Sequence, residues 1–251
     1  MEVIADAQRQ HRLPLIFLLA SRPEQDISLT FSTGALPSVT TRIALDESYL
    51  PTKNIKLFLT DKFQEIKSSH PCRAYIPPQW PLPSVLNRLI RKSSGQFIYA
   101  STVIRYVTST RHKPTDRLDI ILSIRPPQGD LPFSELDALY THILTCVEDI
   151  EHVLEILSFI FFTKRPWTAT MIEDFLSLHP GDVEVYLGDL LSLINLEPDQ
   201  GIHILHASLT DFFVDPTRSK TFWINPQARH TALARRCLQI LQLKSKHSCS
   251  S

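Results

Sequence analysis

The chain has 251 residues, 43% apolar and 21% charged, with 26 basic side chains against 26 acidic ones. That is an ordinary balance for a soluble globular protein with ample length for a hydrophobic core. Six glycines against eighteen prolines suit helices separated by firm stops, and suit a glycine-rich nucleotide fold poorly.

Cys72, Cys146, Cys237 and Cys249 are scattered with no CxxC pair, which argues against a disulfide framework or a zinc site and for a reducing compartment. The opening MEVIADAQRQHR has no apolar core behind a basic cluster and does not read as a signal peptide. The longest apolar runs, 13–20 and 156–162, are too short to span a bilayer. A cytoplasmic protein without a membrane partner and without a metal site is expected.

Residues 2–12 read as the end of a helix leading into a core strand at 13–20, LPLIFLLA, which stops abruptly at Ser21 and Arg22. A loop with Gly34 and Pro37 follows, then TTRIALDE (41–48), whose alternation predicts a second strand. Pro51 opens a helix with Ile55, Phe58, Leu59, Phe63 and Ile66 at helical spacing. The stretch 68–83 is a proline-punctuated loop.

From there the chain reads as almost wholly helical. PSVLNRLIRKS, GQFIYASTVIRYVTST, PTDRLDIILSI and PFSELDALYTHILTCV each carry the 3.6 period. The last is expected to start on a serine cap, with Leu136, Leu139, Ile143 and Leu144 inward. EDIEHVLEILSFIFF (148–162) is a further helix. TATMIEDFLSL and PGDVEVYLGDLLSLI then predict two helices, NLEPDQGIHILH a strand–turn–strand, ASLTDFFVD a short helix and TFWIN another strand. Helix, helix, hairpin is the order of a winged-helix domain. PQARHTALARRCLQILQLK predicts a terminal helix followed by a polar tail.

The run ILHASLTDFFVD (204–215) resembles the His-x-Ser-[Phe/Leu]-x-[Asp/Glu]-Phe-[Phe/Leu] signature in the winged-helix part of NACHT-type signalling ATPases. Together with LPLIFLLASRPEQDI, SSGQFIYASTVIRYV and LHPGDVEVYLGDLLSLINL, in family order, the chain resembles fungal NACHT proteins of the STAND class over most of its length. The fold class this implies is mainly α, with a short α/β remnant of a P-loop NTPase sheet, then a helical domain and a winged-helix domain. The boundaries are 1–66 for the NTPase remnant, 67–147 for the helical domain, 148–225 for the winged helix and 226–251 for a C-terminal helix and tail.

The resemblance makes Arg22 a sensor arginine facing the terminal phosphate of ATP or ADP, a role suited to a planar guanidinium at a strand's end. On the residues alone, Arg22 also reads as a surface arginine pairing with Glu24 or Asp26. It makes His206 the winged-helix histidine that holds bound ADP; the alternative is a half-buried histidine on a wing strand. Gly95 and Phe97 stand where relatives carry Gly-x-Pro against the adenine, with Phe97 in place of the proline. Phe97 reads either as a base-stacking ring or as a helix-face core residue.

A phosphate-binding loop needs GxxxxGK[ST], and none of the six glycines is followed by lysine. The acidic strand that would hold magnesium lies upstream of the sensor strand in the family, and twelve residues before residue 13 do not accommodate it. A chain lacking both is expected not to hydrolyse ATP by itself, to bind no cofactor tightly alone, and to act as a regulatory or interaction portion of such an ATPase. Intact NACHT relatives or self-association supply its partners. An incomplete gene model of a full-length ATP-binding switch is the alternative. A nucleic-acid-binding winged helix is disfavoured, because residues 168–215 hold nine acidic and no basic side chains. Neither GxSxG nor HExxH occurs, and no catalytic residue is assigned.

Overall fold

A computed structural model describes residues 16–21, 25–34, 36–43, 51–126, 133–163, 167–197 and 201–248. The chain divides into two compact units, residues 1–49 and 50–251. The division therefore lies ahead of Pro51, and residue 66 falls inside a helix of the second unit rather than at a boundary.

In the first unit, residues 16–20 form no strand, and Ile16 and Leu18 are 99% and 93% exposed. The expected strand at 13–20 is thus not present over its described part. An apolar run forms a strand only where a neighbouring strand takes up its amides and carbonyls, and none of the described residues of this unit supplies one. Residues 41–43 are likewise irregular, and 44–48 lie outside the described residues. Where a loop is expected, the chain forms helix α1 (Gln25–Ser32). Thr30, Ser32 and Thr33 each donate to a carbonyl four residues back.

The second unit is mainly helical with one small antiparallel sheet. Helix α2 (Pro51–Ser69) buries Ile55, Leu59, Phe63 and Ile66, its expected inner face. It packs on α3 (Pro83–Ser93) and α4 (Phe97–Val107), and α4 packs on α5 (Pro114–Ser123). Proline at the first turn starts α3 and α5, where its missing N–H costs nothing. Ser94 and Gly95, with φ of 46° and 75°, turn the chain out of α3.

Helix α6 (Ser134–Thr145) buries Leu136, Leu139, Ile143 and Leu144 as expected, but its N-cap is Phe133 and no side-chain cap forms. In α7 (Ile150–Phe162) the cap is built: the Asp149 carboxylate accepts the His152 N–H at 3.2 Å. Thr168 does the same for α8 (Ala169–Leu176), accepting the Met171 N–H at 3.3 Å.

The second expected helix of this region is short. Helix α9 (Asp182–Leu187) passes into a single 3-10 turn at Gly188–Leu190. Strands β1 (Ile194–Glu197) and β2 (Gly201–Ile204) pair antiparallel with Ile194 opposite Ile204 and Asn195 opposite His203. Helix α10 (Ala207–Val214) packs on α11 (Pro216–Ser219), and α11 touches α6. TFWIN is not a strand: Lys220–Phe222 is a 3-10 turn, and Ile224 donates one hydrogen bond to Phe213 O without a ladder. Helix α12 (Pro226–Ser248) runs through most of the expected polar tail and packs on α7. One contiguous apolar core joins α2 through α7 to the hairpin and α10.

Candidate functional site

Strand β2 ends at Ile204 and α10 begins at Ala207, so His206 occupies the N-cap position. There its ring replaces the usual short capping side chain. Nδ1 accepts the Ser208 N–H at 3.1 Å, satisfying one of the amides that the first turn leaves without an intrahelical partner. An amide can only donate, so Nδ1 carries no proton in this arrangement and the neutral ring holds its proton on Nε2.

The same serine links the cap to the helical core. Ser208 Oγ lies 2.7 Å from His206 Nδ1 and 2.8 Å from the Tyr140 hydroxyl on α6. Burial pushes the Tyr140 phenol up to about 12, against the opposing effect of the Ser208 hydrogen bond. Tyr140 therefore stays protonated, and its hydroxyl and that of Ser208 share one hydrogen bond. Tyr140, Ser208 and His206 form one connected chain that holds the imidazole's rotation.

Beside this chain lies a cavity of about 90 Å³, lined among others by Ser101, Thr102 and Arg105 of α4, by Ser192 and by His206. Ser101 and Arg105 are one helical turn apart and share a face, which brings the guanidinium and a hydroxyl to the same opening. Ser192 is 8% exposed, and its hydroxyl is the one buried side-chain oxygen or nitrogen among the described residues with no hydrogen-bond partner. Leaving such a group unpaired costs about 1–3 kcal/mol. At about 10–15 Å³ of such space per water, the cavity admits several waters or a compact polar group.

Of the residues singled out from sequence, Arg22 lies outside the described residues. His206 is placed at the cavity. Phe97 is not: it opens α4 half-exposed, with its ring 4.7 Å from that of Phe58, while the next residue, Ile98, lines the cavity. Arg105, Tyr140 and Ser192 escaped the sequence reading, and Ser208 stands in the His-x-Ser signature without a role of its own. For Ser208 the spacing to His206 carries a signal, since a side chain capping its own second neighbour needs a short gap. Tyr140 stands 68 residues away, and no local pattern reports that contact.

Searches against family models, curated proteins and solved structures return no match for this chain. Among the described residues no helix is long and apolar enough to cross a membrane.

Proposed function

We propose that the chain is the regulatory and interaction portion of a NACHT-type signalling ATPase, with residues 148–225 as its winged helix. In this reading His206 and Arg105 meet the terminal phosphate of ADP or ATP. The observation that carries the reading is that the imidazole of His206, held at the helix N-cap, and the guanidinium-bearing Arg105 line one small cavity. An Nε2–H, a guanidinium and hydroxyls are all donors, which suits phosphate oxygens.

The chain has no GxxxxGK[ST], so nothing wraps the β-phosphate or positions a magnesium ion for phosphoryl transfer. It does not hydrolyse ATP by itself in this reading. Nucleotide binds weakly and completely only when an intact relative, or a second copy, contributes further groups. The full-length switch protein is the alternative: there the same His206 and Arg105 serve a site whose P-loop is encoded upstream.

Titration calorimetry with ADP on the wild-type chain, His206→Ala and Arg105→Ala tests the assignment. Measurable ADP binding that both variants weaken about tenfold or more is the expected outcome. No heat with wild type, or binding indifferent to both changes, removes the nucleotide role and leaves an interaction module.

A further inference from the structure

Helix α12 has two usable faces and the fold covers one. Arg229, Leu233, Arg236 and Ile240, spaced four, three and four residues apart, are the half-buried side. Leu233 packs on the core, and Arg236 donates from Nε to Phe175 O at 3.0 Å and from Nη2 to Ser177 Oγ at 2.5 Å, closing the end of α8. The other side is open. Arg235 is exposed there with Leu238 and Leu241, at 61% and 63% exposure. A shallow groove of about 430 Å³ runs along its first half, lined by Asn225, Gln227, Ala228, Thr231, Ala232 and Arg235.

The complementary surface lies on the same molecule. Helix α8 exposes Met171 and Asp174, and α9, packed against it, exposes Glu184 and Val185, the last at 77%. Residues 168–215 hold nine acidic and no basic side chains, and 216–251 hold seven basic and no acidic ones. Among the described residues neither Arg235 nor Asp174 nor Glu184 belongs to an ion pair. The fold keeps these charges apart within one chain, although Arg236 shows that α12 and the end of α8 are neighbours.

We infer that two copies of the chain associate through these surfaces, the open face of α12 of one copy seated on the α8–α9 face of the other. Each copy carries both halves, side by side, so a two-fold axis satisfies both contacts at once: Arg235 of each copy meets Glu184 or Asp174 of the other. Leu238 and Leu241 cover Val185 and Met171, which supplies the apolar centre that a charged rim alone lacks. Like-charged pairing of α12 with α12 is excluded by the same electrostatics. The inference deepens the self-association part of the proposed function and stands whether or not nucleotide binds.

Sedimentation equilibrium of the full chain over a concentration series at low and high salt is the test. The expected result is a monomer–dimer equilibrium that weakens with salt, and weakens about tenfold further in Arg235→Glu and in Glu184→Arg. Both positions are exposed, so circular dichroism and thermal midpoints stay at wild-type values. The double variant Arg235→Glu/Glu184→Arg, and the mixture of the two single variants, regain the dimer. A wild-type chain that stays monomeric overturns the proposal. So does a dimer indifferent to both reversals, and so does a failure of the double variant to recover, which points instead to an acidic partner of another sequence.

Discussion

The Tyr140 hydroxyl and Ser208 Oγ share a hydrogen bond at 2.8 Å across 68 residues of sequence, and this bond ties helix α6 to the turn that presents His206. Tyr140 is buried and its ring meets Phe212 edge-on at 5.5 Å, so the phenol is held by packing before it is held by hydrogen bonding. Tyr140→Phe keeps the ring and removes the hydroxyl. A loss of about 1–2 kcal/mol in urea unfolding is expected, the size of one buried hydrogen bond with its partner left partly unpaired. Ser208→Ala removes both bonds of the relay and costs at least as much.

The same tyrosine sets a pH dependence. Its folded-state pKa lies above the ordinary phenol value, at about 12, chiefly because burial penalises the phenolate. The folded state therefore holds the proton more tightly than the unfolded one. Its contribution is fully present below about pH 10 and is lost as pH rises toward 12. Denaturation midpoints measured across that window fall with a shallower slope in Tyr140→Phe than in wild type. Tyr99 and Tyr106, also raised chiefly by burial, contribute to the slope that remains.

Arg218 and Asp137 form a two-pronged pair, Nε to Oδ2 at 3.0 Å and Nη2 to Oδ1 at 2.7 Å, with both side chains 19% exposed. It fastens α11 to α6, close to the Tyr140 bond. Burial alone would lower the guanidinium's pKa, and the hydrogen bond and charge of Asp137 outweigh it and raise it. Arg218→Lys keeps the charge but cannot reproduce the fork, and it also loses the guanidinium's place over the Phe133 ring. A destabilisation of about 1–3 kcal/mol by chemical denaturation is expected, and a cost below 0.5, on the order of a surface pair, would show the fork to be idle.

How far the sequence showed this arrangement depended on whether a segment's environment was local. Helix α2 was legible because Ile55, Leu59, Phe63 and Ile66 repeat with the helix and each turns inward. Helix α1 was not, because it buries no residue and is held by hydroxyls bonding back to its own carbonyls. TFWIN misled for a physical reason. Phe222 and Ile224 are buried and Trp223 is exposed, which is the two-residue alternation of a strand, yet the alternation comes from a 3-10 turn leading into a short extended link. At the site, His206 was legible from the residues around it. Ser192 was not, since nothing about a serine in LLSLI tells that its hydroxyl will be buried without a partner.

Glu173 is a carboxylate buried for a reason of architecture. It is 5% exposed, and its Oε1 accepts the Gly181 N–H at 2.8 Å and the Val183 N–H at 3.2 Å. These amides belong to the first turn of α9, so a side chain from α8 caps a neighbouring helix and fixes the angle between the two. Glu173→Ala strands two amides and should cost about 2–4 kcal/mol, read by urea unfolding, whereas Glu173→Gln keeps one acceptor oxygen and should cost less than half of that. Equal losses in the two variants would mean that the negative charge, and not the acceptor geometry, does the holding.

Gly201 opens β2 with φ of +88°, and a Cβ built there would stand 2.7 Å from Trp167 O. Two constraints act together: the left-handed backbone disfavours any L side chain, and the backbone carbonyl cannot move aside, because it accepts the Ile202 N–H at 2.9 Å. Relief requires the hairpin to shift away from the segment that leads into α8. Gly201→Ala should therefore destabilise by about 2–4 kcal/mol, combining the backbone cost with a weakened Ile202 bond. Amide exchange separates the causes: loss of protection confined to Ile202 indicates the clash at Trp167. Loss throughout Ile194–Glu197 as well indicates that the hairpin itself has opened.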